Sequence, residues 1–235
     1  MHWDSKGEPG MEMSVRQTPA EQRATEIARA RWERLAAGYD QREAWMESRM
    51  FAAWRQRLWA RVSGPRVLEV GVGTGRNMAY YPPGMQITAI DFSPAMLDAA
   101  RERAEELGVE VDLREMDAEH MTFADASFDT SVATCVFCSV PRPVPGLREM
   151  RRVVRPGGQV LLLEHMRAES PILGPLMDVA NPLVVRMLGF NINRRTLDNI
   201  RAAGLRIVDV EQLADFLPAN RGQALTGACL FSDSR

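Results

Sequence analysis

The chain of 235 residues has almost no lysine, since Lys6 is the single lysine among its 29 basic side chains. It has three cysteines, Cys135, Cys138 and Cys229, which are too few for a disulfide framework and fit a reducing compartment. No apolar run reaches the roughly 18 residues of a membrane-spanning helix. The polar first residues lack the apolar core of a signal peptide. We therefore expect a cytoplasmic protein.

The net charge of −2 gives no sign of a nucleic-acid partner. A local asymmetry exists between Arg16 and Arg66, where eleven arginines face six acidic residues. Four tryptophans fall in the same stretch: Trp32, Trp45, Trp54 and Trp59. A basic, tryptophan-rich amphipathic segment is typical of a membrane-surface helix. It is more often a solvated helix whose tryptophans cover the core, and both interpretations stay open.

The pattern of apolar residues changes after Gly64 and Pro65. Before them, residues 18–62 have a helical pattern with an expected break at Gly38. After them, strands are predicted at 66–70, 86–90, 109–115, 128–134 and 160–164, with helices at 77–80, 94–107 and 145–154. Alternation of strands and helices with short connections predicts an α/β fold, in which helices cover both faces of a mostly parallel sheet.

We expect one domain at residues 19–235, preceded by a flexible leader at 1–18. Within the domain, 19–63 form a helical cap, 64–165 a cofactor-binding core and 166–195 an acceptor-side insertion. The remaining residues, 196–235, are predicted to form a helix at 196–203 and antiparallel strands at 205–212 and 224–231. The insertion is apolar and interrupted by prolines, and long connections of this kind are usually lids or binding loops.

The stretch "VLEVGVGTGRN" places Gly71, Gly73 and Gly75 directly after a predicted strand. A phosphate-binding P-loop needs a lysine in the loop, and this loop has none. The dinucleotide fingerprint G-x-G-x-x-G also fails, because the third glycine comes one residue early. Glu69 would repel a phosphate chain, whereas it suits a ligand that carries an ammonium and a sulfonium group.

This E-x-G-x-G-x-G loop resembles that of class I S-adenosylmethionine-dependent methyltransferases. The segments "AIDFSP", "EMDAEHM", "FDTSVATCVFCSV" and "RRVVRPGGQVLLLEH" follow in the order of that family. The resemblance implies a Rossmann-like fold with a seven-stranded sheet and an N-terminal helical cap, and a turn at 156–158. It also implies S-adenosylmethionine as cofactor and S-adenosylhomocysteine as product. Asp91 would accept from the ribose hydroxyls, and Asp117 with Ala118 would contact the adenine. The implied cofactor-binding residues are Glu69, Gly71, Gly73, Gly75, Asn77, Asp91, Phe92, Ser93, Met96, Asp117, Ala118 and Thr134.

A narrower resemblance involves "WRQRLW", "LLLEHMR" and "NPLVVRMLGFNINRRT". These segments are similar to bacterial soluble phosphatidylethanolamine N-methyltransferases and to related animal thiol methyltransferases. The ubiquinone/menaquinone C-methyltransferases share mainly the core. The resemblance implies a phospholipid acceptor and peripheral contact with the inner face of the membrane. The alternative is a cytoplasmic enzyme that methylates a small-molecule thiol, hydroxyl or amine. Tyr39 and His165 are the implied catalytic residues, and the implied substrate-binding residues are Cys138, Asn191, Asn193, Arg194 and Arg195.

Four features keep other interpretations open. The Cys135-x-x-Cys138 pair lacks a second pair and lies in an apolar run, so we expect buried thiols and no metal site. The segment 191–196 has an alternative interpretation as the cap of the next helix. After Leu213 the sequence departs from the ending that these families have, which affects an edge near the acceptor site. An apolar surface helix at 170–190 would favour a membrane enzyme, and a closed lid a pocket enzyme.

Overall fold

The computed structural model describes residues 18–47, 51–213 and 226–232, so residues 1–17 of the expected leader lie outside the described part. Three helices precede the sheet: α1 (Pro19–Ala36), α2 (Tyr39–Met46) and α3 (Ala52–Trp59). Thr18 caps α1, because its hydroxyl accepts from the Glu21 backbone N–H and its own N–H donates to the Glu21 carboxylate. The expected break at Gly38 is confirmed, since this glycine adopts a left-handed φ of +76° between α1 and α2.

Among the residues that the structure describes, seven strands form one sheet in the order β3-β2-β1-β4-β5-β7-β6. Five of them pair in parallel with one another: β1 (Arg66–Val70), β2 (Gln86–Asp91), β3 (Asp112–Glu115), β4 (Phe128–Thr134) and β5 (Val154–His165). β6 (Ile207–Leu213) and β7 (Thr226–Ser232) pair antiparallel, and β7 also pairs antiparallel with β5. The described helices after β1 lie between strands along the chain. α4 (Pro94–Leu107) follows β2, α5 (Pro143–Val153) follows β4, and α6 (Leu173–Leu188) and α7 (Thr196–Ala202) follow β5.

Side chains alternate along the central strands between two buried faces. Leu68 and Leu162 pack into a cluster with residues of α5 and α7. Val67 and Leu161 point the other way, into a cluster with Trp59 of α3. Helices therefore cover both faces, and the expected Rossmann-like fold with a parallel sheet of five strands is confirmed.

Some predicted boundaries are wrong. The strand predicted at 109–115 begins at Asp112, and the helix predicted at 77–80 is a short 3₁₀ turn at Met78–Tyr80. The turn predicted at 156–158 lies within β5 as a bulge, where the register with β4 shifts between Phe128 and Thr130. Gly157 has a φ of +75° at this bulge. Because glycine adopts such angles easily, a glycine in a strand pattern is compatible with a bulge as well as with a turn.

Candidate active site

An open cavity with about 940 Å³ of empty space lies at the carboxyl ends of β1, β2 and β4. β1 lies between β2 and β4, so the cavity occupies the point where the strand order reverses, which is where open α/β sheets bind ligands. The structure brings together ten predicted residues in its lining: Tyr39, Gly71, Gly73, Asn77, Asp91, Phe92, Met96, Asp117, Ala118 and Thr134.

The three glycines after β1 have left-handed φ angles, +68° at Gly71, +55° at Gly73 and +79° at Gly75. Their surroundings differ. A Cβ on Gly71 would lie 2.5 Å from a methyl carbon of Val136, so this glycine allows close packing of the chain on itself. A Cβ on Gly73 would meet no atom within 4 Å, so at this residue the backbone faces open space in the cavity. Gly75 packs on Met78, outside the cavity.

Asp91 connects the end of β2 to the glycine loop. Its Oδ2 accepts from the Gly73 N–H at 2.9 Å, and its Oδ1 accepts from the Ser93 N–H at 3.0 Å. Burial raises the pKa of Asp91 to about 6. Ser93 itself is fully buried outside the cavity, where its hydroxyl accepts from the Met96 N–H and caps α4. Asp91 therefore holds the loop in place while its side chain stays on the cavity wall.

Glu69 lies behind the glycine loop and is 1% exposed. Its carboxylate accepts from Asn77 Nδ2 at 2.6 Å and from the hydroxyl of Tyr81. Burial raises the pKa of Glu69 to about 7. Asn77 lies between Glu69 and the cavity, so a ligand in the cavity would meet the asparagine before the glutamate.

Two arginines that the motifs did not indicate also line the cavity, Arg55 of α3 and Arg76 of the glycine loop. Arg55 donates to Asn77 Oδ1 at 2.8 Å and to Glu47 Oε1 at 2.9 Å. Arg76 donates to the other oxygen of Glu47 and to Asp40, both within 3 Å. Its guanidinium lies 5.3 Å from the centre of the Tyr39 ring. Arg76 directly follows the glycines, and this position could have predicted that it lines the cavity. Because the chain has many arginines, one more arginine in the loop did not stand out.

The loop after β4 forms another wall of the cavity. Cys135 lines the cavity with a left-handed φ of +56°. Glu164, at the end of β5, accepts from the backbone N–H groups of Val136 and Phe137 at 2.8 and 2.9 Å. Glu164 is 1% exposed, and burial raises its pKa to about 7. This residue was not predicted, and its position next to His165 was the available signal.

The thiol of Cys138 is buried under this loop and outside the cavity. Burial raises its pKa well above the usual value, so the thiol stays protonated at neutral pH. Cys135, by contrast, is half-buried. Within the described residues, no group of three or more His, Cys, Asp or Glu side chains could hold a metal ion.

The other predicted substrate residues hold the insertion against this loop. Asn191 donates to the Cys138 carbonyl through both its backbone N–H and its side-chain amide, at 2.8 and 2.9 Å. Asn193 donates to Asp178 of α6 at 3.1 Å, and Arg194 donates to the Val140 carbonyl at 2.7 Å. Arg195 is exposed. The structure thus places these four residues around the wall of the cavity and outside its lining.

His165 ends β5 beside Glu164 and also lies outside the cavity lining. Its Nδ1 is buried and has no hydrogen-bond partner among the residues that the structure describes. Burial lowers the pKa of His165, so the imidazole is neutral near pH 7.

α6 displays an apolar stripe on the surface. Five residues at helical spacing form it, and they are 59–81% exposed: Ile172, Leu176, Val179, Leu183 and Met187. Of the described helices, none is long and apolar enough to cross a membrane. Within the segment 170–190, α6 therefore presents an apolar side to solvent.

Comparison with known proteins agrees with this geometry. Residues 68–162 match the family described as "Methyltransferase domain". The chain is 44% identical to a phosphatidylethanolamine N-methyltransferase of Cereibacter sphaeroides over 55% of this chain and 64% of that protein. It is 29% identical to a ubiquinone/menaquinone biosynthesis C-methyltransferase of Bdellovibrio bacteriovorus, over 70% of this chain and 72% of that protein. A thiol S-methyltransferase of Homo sapiens is 38% identical over 43% of this chain and 42% of that protein.

The alignment with the Cereibacter sphaeroides protein spans less than two thirds of that relative. Among solved structures, a S-adenosylmethionine-dependent methyltransferase from Thermotoga maritima, titled a possible histamine N-methyltransferase, superimposes with a TM-score of 0.65. It is 24% identical and covers 86% of this chain and 98% of its own, which is evidence for the fold alone. The predicted resemblance is confirmed: residues 68–162 match the methyltransferase domain family, and this match implies S-adenosylmethionine as the methyl donor.

Proposed function

We propose that this chain transfers a methyl group from S-adenosylmethionine to the amine of phosphatidylethanolamine at a membrane surface. The observation that carries the proposal is the apolar stripe of α6, which is exposed to solvent next to the wall of the cavity. The Cereibacter sphaeroides relative, whose name gives the same acceptor, supports it.

The residues of the cavity suit the methyl donor. S-adenosylmethionine, when bound, supplies a methyl group attached to a positively charged sulfur. Asp91 would accept from the ribose hydroxyls and Asp117 from the adenine amino group. Gly73 leaves room for a ligand against the backbone, because no atom lies within 4 Å of where its Cβ would be. Arg55 and Arg76 line this end of the cavity in ion pairs with Glu47 and Asp40, and we assign their guanidinium groups to donate to the carboxylate of the methionine half.

The chain must also hold the acceptor amine in line with the methyl group and exclude water. Tyr39 is the predicted catalytic residue that lines the cavity, where its ring packs edge-on against Trp32 at 5.9 Å between ring centres. We assign Tyr39 to orient the amine. His165 lies outside the lining, so we assign it no proton transfer with an amine in the cavity, and the proton that the amine loses would pass to solvent at the open side of the cavity.

The surface around the α6 stripe is suited to anionic lipid. Arg186 of α6 is exposed beside the stripe. At the end of α6, Gly189 contacts Arg31 and Leu35 of α1. Ile27, one turn before Arg31 on the same face of α1, is 61% exposed. Apolar side chains flanked by arginines are the usual composition of a helix that lies in a membrane interface.

Hydrogen bonds connect this surface to the cavity. Asn181 of α6 donates to Asn191 at 3.0 Å, and Asn191 in turn donates to the Cys138 carbonyl in the loop that lines the cavity. A phospholipid whose acyl chains stay in the bilayer under α6 would therefore have its headgroup near the cavity wall. This arrangement explains why the predicted headgroup residues lie outside the cavity itself.

Flotation of the protein with vesicles that contain anionic lipid tests the membrane part of the proposal. We expect the chain to float and to be released at high salt, because the Debye length shortens as salt rises. Replacing Val179 and Leu183 by Glu should abolish flotation and the transfer of labelled methyl groups to phosphatidylethanolamine. The matched control is Leu107→Glu on α4, where a leucine is also exposed.

Binding of S-adenosylhomocysteine should be unchanged in all of these variants. Label that appears in a small thiol, phenol or amine, with none in lipid, would refute the phospholipid acceptor and favour a small-molecule methyltransferase. The quinone-pathway and thiol relatives make those acceptors the correct comparison panel.

A further inference from the structure

The inner face of α1 carries two buried polar atoms with no hydrogen-bond partner in the described part of the chain, Thr25 Oγ1 and Glu33 Oε1. Buried polar atoms are nearly always paired in folded proteins, so an unpaired one indicates a partner that the chain alone does not supply. A threonine inside a helix commonly bonds to the carbonyl four residues earlier. Thr25 does not do so, although this bond is sterically accessible to most helical threonines.

Both residues are close to the cavity. Thr25 lines it together with Met116, Asp117 and Ala118, which follow β3. Glu33 lies two turns further along the same face of α1. Its negative charge contributes to the raised pKa of Asp91, after the larger effect of burial, so the two carboxylates are neighbours.

Ion pairs fix α1 over this end of the sheet. Glu21 forms an ion pair at 2.5 Å with Arg142, which lies at the start of α5. Arg29 forms an ion pair with Glu115, the last residue of β3. α1 also packs against α4. The inner face of α1 therefore passes over the carboxyl ends of β2 and β3, where Asp91 and Asp117 would hold the adenosine half of the methyl donor.

Asp91 already accepts two backbone hydrogen bonds, so a second acceptor beside it could serve the ribose hydroxyls. Each of its two oxygens already accepts a backbone N–H, from Ser93 and from Gly73. A ribose diol brings two hydroxyl donors, and Glu33 Oε1 accepts from nothing in the described residues. We propose that α1 completes the adenosine site: Glu33 accepts from a ribose hydroxyl beside Asp91, and the Thr25 hydroxyl bonds to the nucleoside.

This inference rests on the methyl-donor site described under the proposed function, and it is independent of the acceptor. Calorimetric binding to the full chain tests it with two ligands, S-adenosylhomocysteine and 5′-methylthioadenosine, which keeps the adenosine and lacks the amino-acid half. Thr25→Val, of the same shape without the hydroxyl, and Glu33→Met, of similar length without an acceptor, should each weaken both ligands by about threefold to tenfold. The factor should be the same for the two ligands.

Conservative variants and a control separate binding from folding. Thr25→Ser and Glu33→Gln keep an oxygen at each position, so they should recover most of the affinity. Glu26→Met makes the corresponding change at an exposed residue of α1 and should leave both affinities unchanged. The loss in Glu33→Met should disappear with the 2′,3′-dideoxy form of 5′-methylthioadenosine, because that ligand has no hydroxyl for Glu33.

Wild-type affinity in both Thr25→Val and Glu33→Met would overturn the inference, and so would a loss confined to S-adenosylhomocysteine, since α1 would then contact the amino-acid half. Failure of the wild-type chain to bind S-adenosylhomocysteine would instead overturn the methyl-donor site itself. Glu33→Met tests α1 independently of any packing change at Thr25.

Discussion

Gly71 and Gly73 show how two residues of one loop can have separate roles. Both have left-handed backbone angles, which cost an alanine about 1–2 kcal/mol. At Gly71 the added methyl would also clash with Val136 at 2.5 Å, whereas at Gly73 it would point into open space. The first glycine is required by the fold of the chain, and the second by the space that it leaves for a ligand.

We therefore predict different effects for two single substitutions, mainly on stability at Gly71 and mainly on ligand binding at Gly73. Gly71→Ala should lower the free energy of unfolding by about 2–5 kcal/mol, from backbone strain and overpacking together. Gly73→Ala should cost about 1–2 kcal/mol and should weaken S-adenosylhomocysteine binding at least tenfold. Urea unfolding and calorimetric titration measure the two quantities. Normal binding by Gly73→Ala would show that the methyl donor lies elsewhere.

Helices, strands and loops whose signal lies in residues close together along the chain could be predicted from the sequence. β1, the glycine loop and α4 follow from a β-branched run, alternate glycines and Ser93 before a helical pattern. The bulge in β5 could not be distinguished from a turn, because glycine permits both. Arg55, Glu47 and Glu164 reach the site from other segments of the chain, and no local pattern shows which distant side chains tertiary packing will bring together.

α6 is held to the loop after β4 by its contacts with Asn191, and we predict that this junction is important for stability. Asn191→Ala removes a side-chain donor from the Cys138 carbonyl and the acceptor of the half-buried Asn181 Nδ2, which should cost about 1–3 kcal/mol. Asn193→Ala is the control, because its bond to Asp178 is exposed and its loss should cost less than about 0.5 kcal/mol. Equal losses in the two variants, measured by urea unfolding, would contradict this assignment.

For the molecule as a whole, buried carboxyl groups predict how stability changes with pH. Burial raises the pKa of Glu69 and Glu164 to about 7 and that of Asp91 to about 6, all above their values in an unfolded chain. The folded state therefore binds more protons, and the stability that these groups give is complete below about pH 4 and is lost as the pH rises towards 7. Asp129 affects stability at lower pH. Burial alone would raise the pKa of Asp129, but hydrogen bonds from Arg155 and Arg66 lower it to about 2. Its contribution is lost as the pH falls from about 4 to 2.

We predict that the free energy of unfolding, and with it the urea midpoint, decreases as the pH rises from about 5 to about 7.5. Each group contributes a slope of at most about 1.4 kcal/mol per pH unit to the free energy. Glu69→Gln keeps an acceptor for Asn77 and cannot ionise, so its midpoint should fall less steeply over this range. Glu106→Gln, at an exposed residue of α4, should follow the wild-type curve. A slope that is the same in Glu69→Gln and wild type would mean that Glu69 does not titrate with folding.

The sheet order has a consequence for how the chain folds. β1 pairs with β4, although β2, α4 and β3 come between them in the chain. The centre of the sheet, on which the cavity depends, therefore cannot close during synthesis until β4 has left the ribosome. Every position of β4 is buried in the folded protein, so before closure its apolar residues Phe128, Val132 and Ala133 are exposed to other chains. Long-range pairing of this kind makes folding slow. The newly made chain will thus depend on chaperones more than a helical protein of equal length.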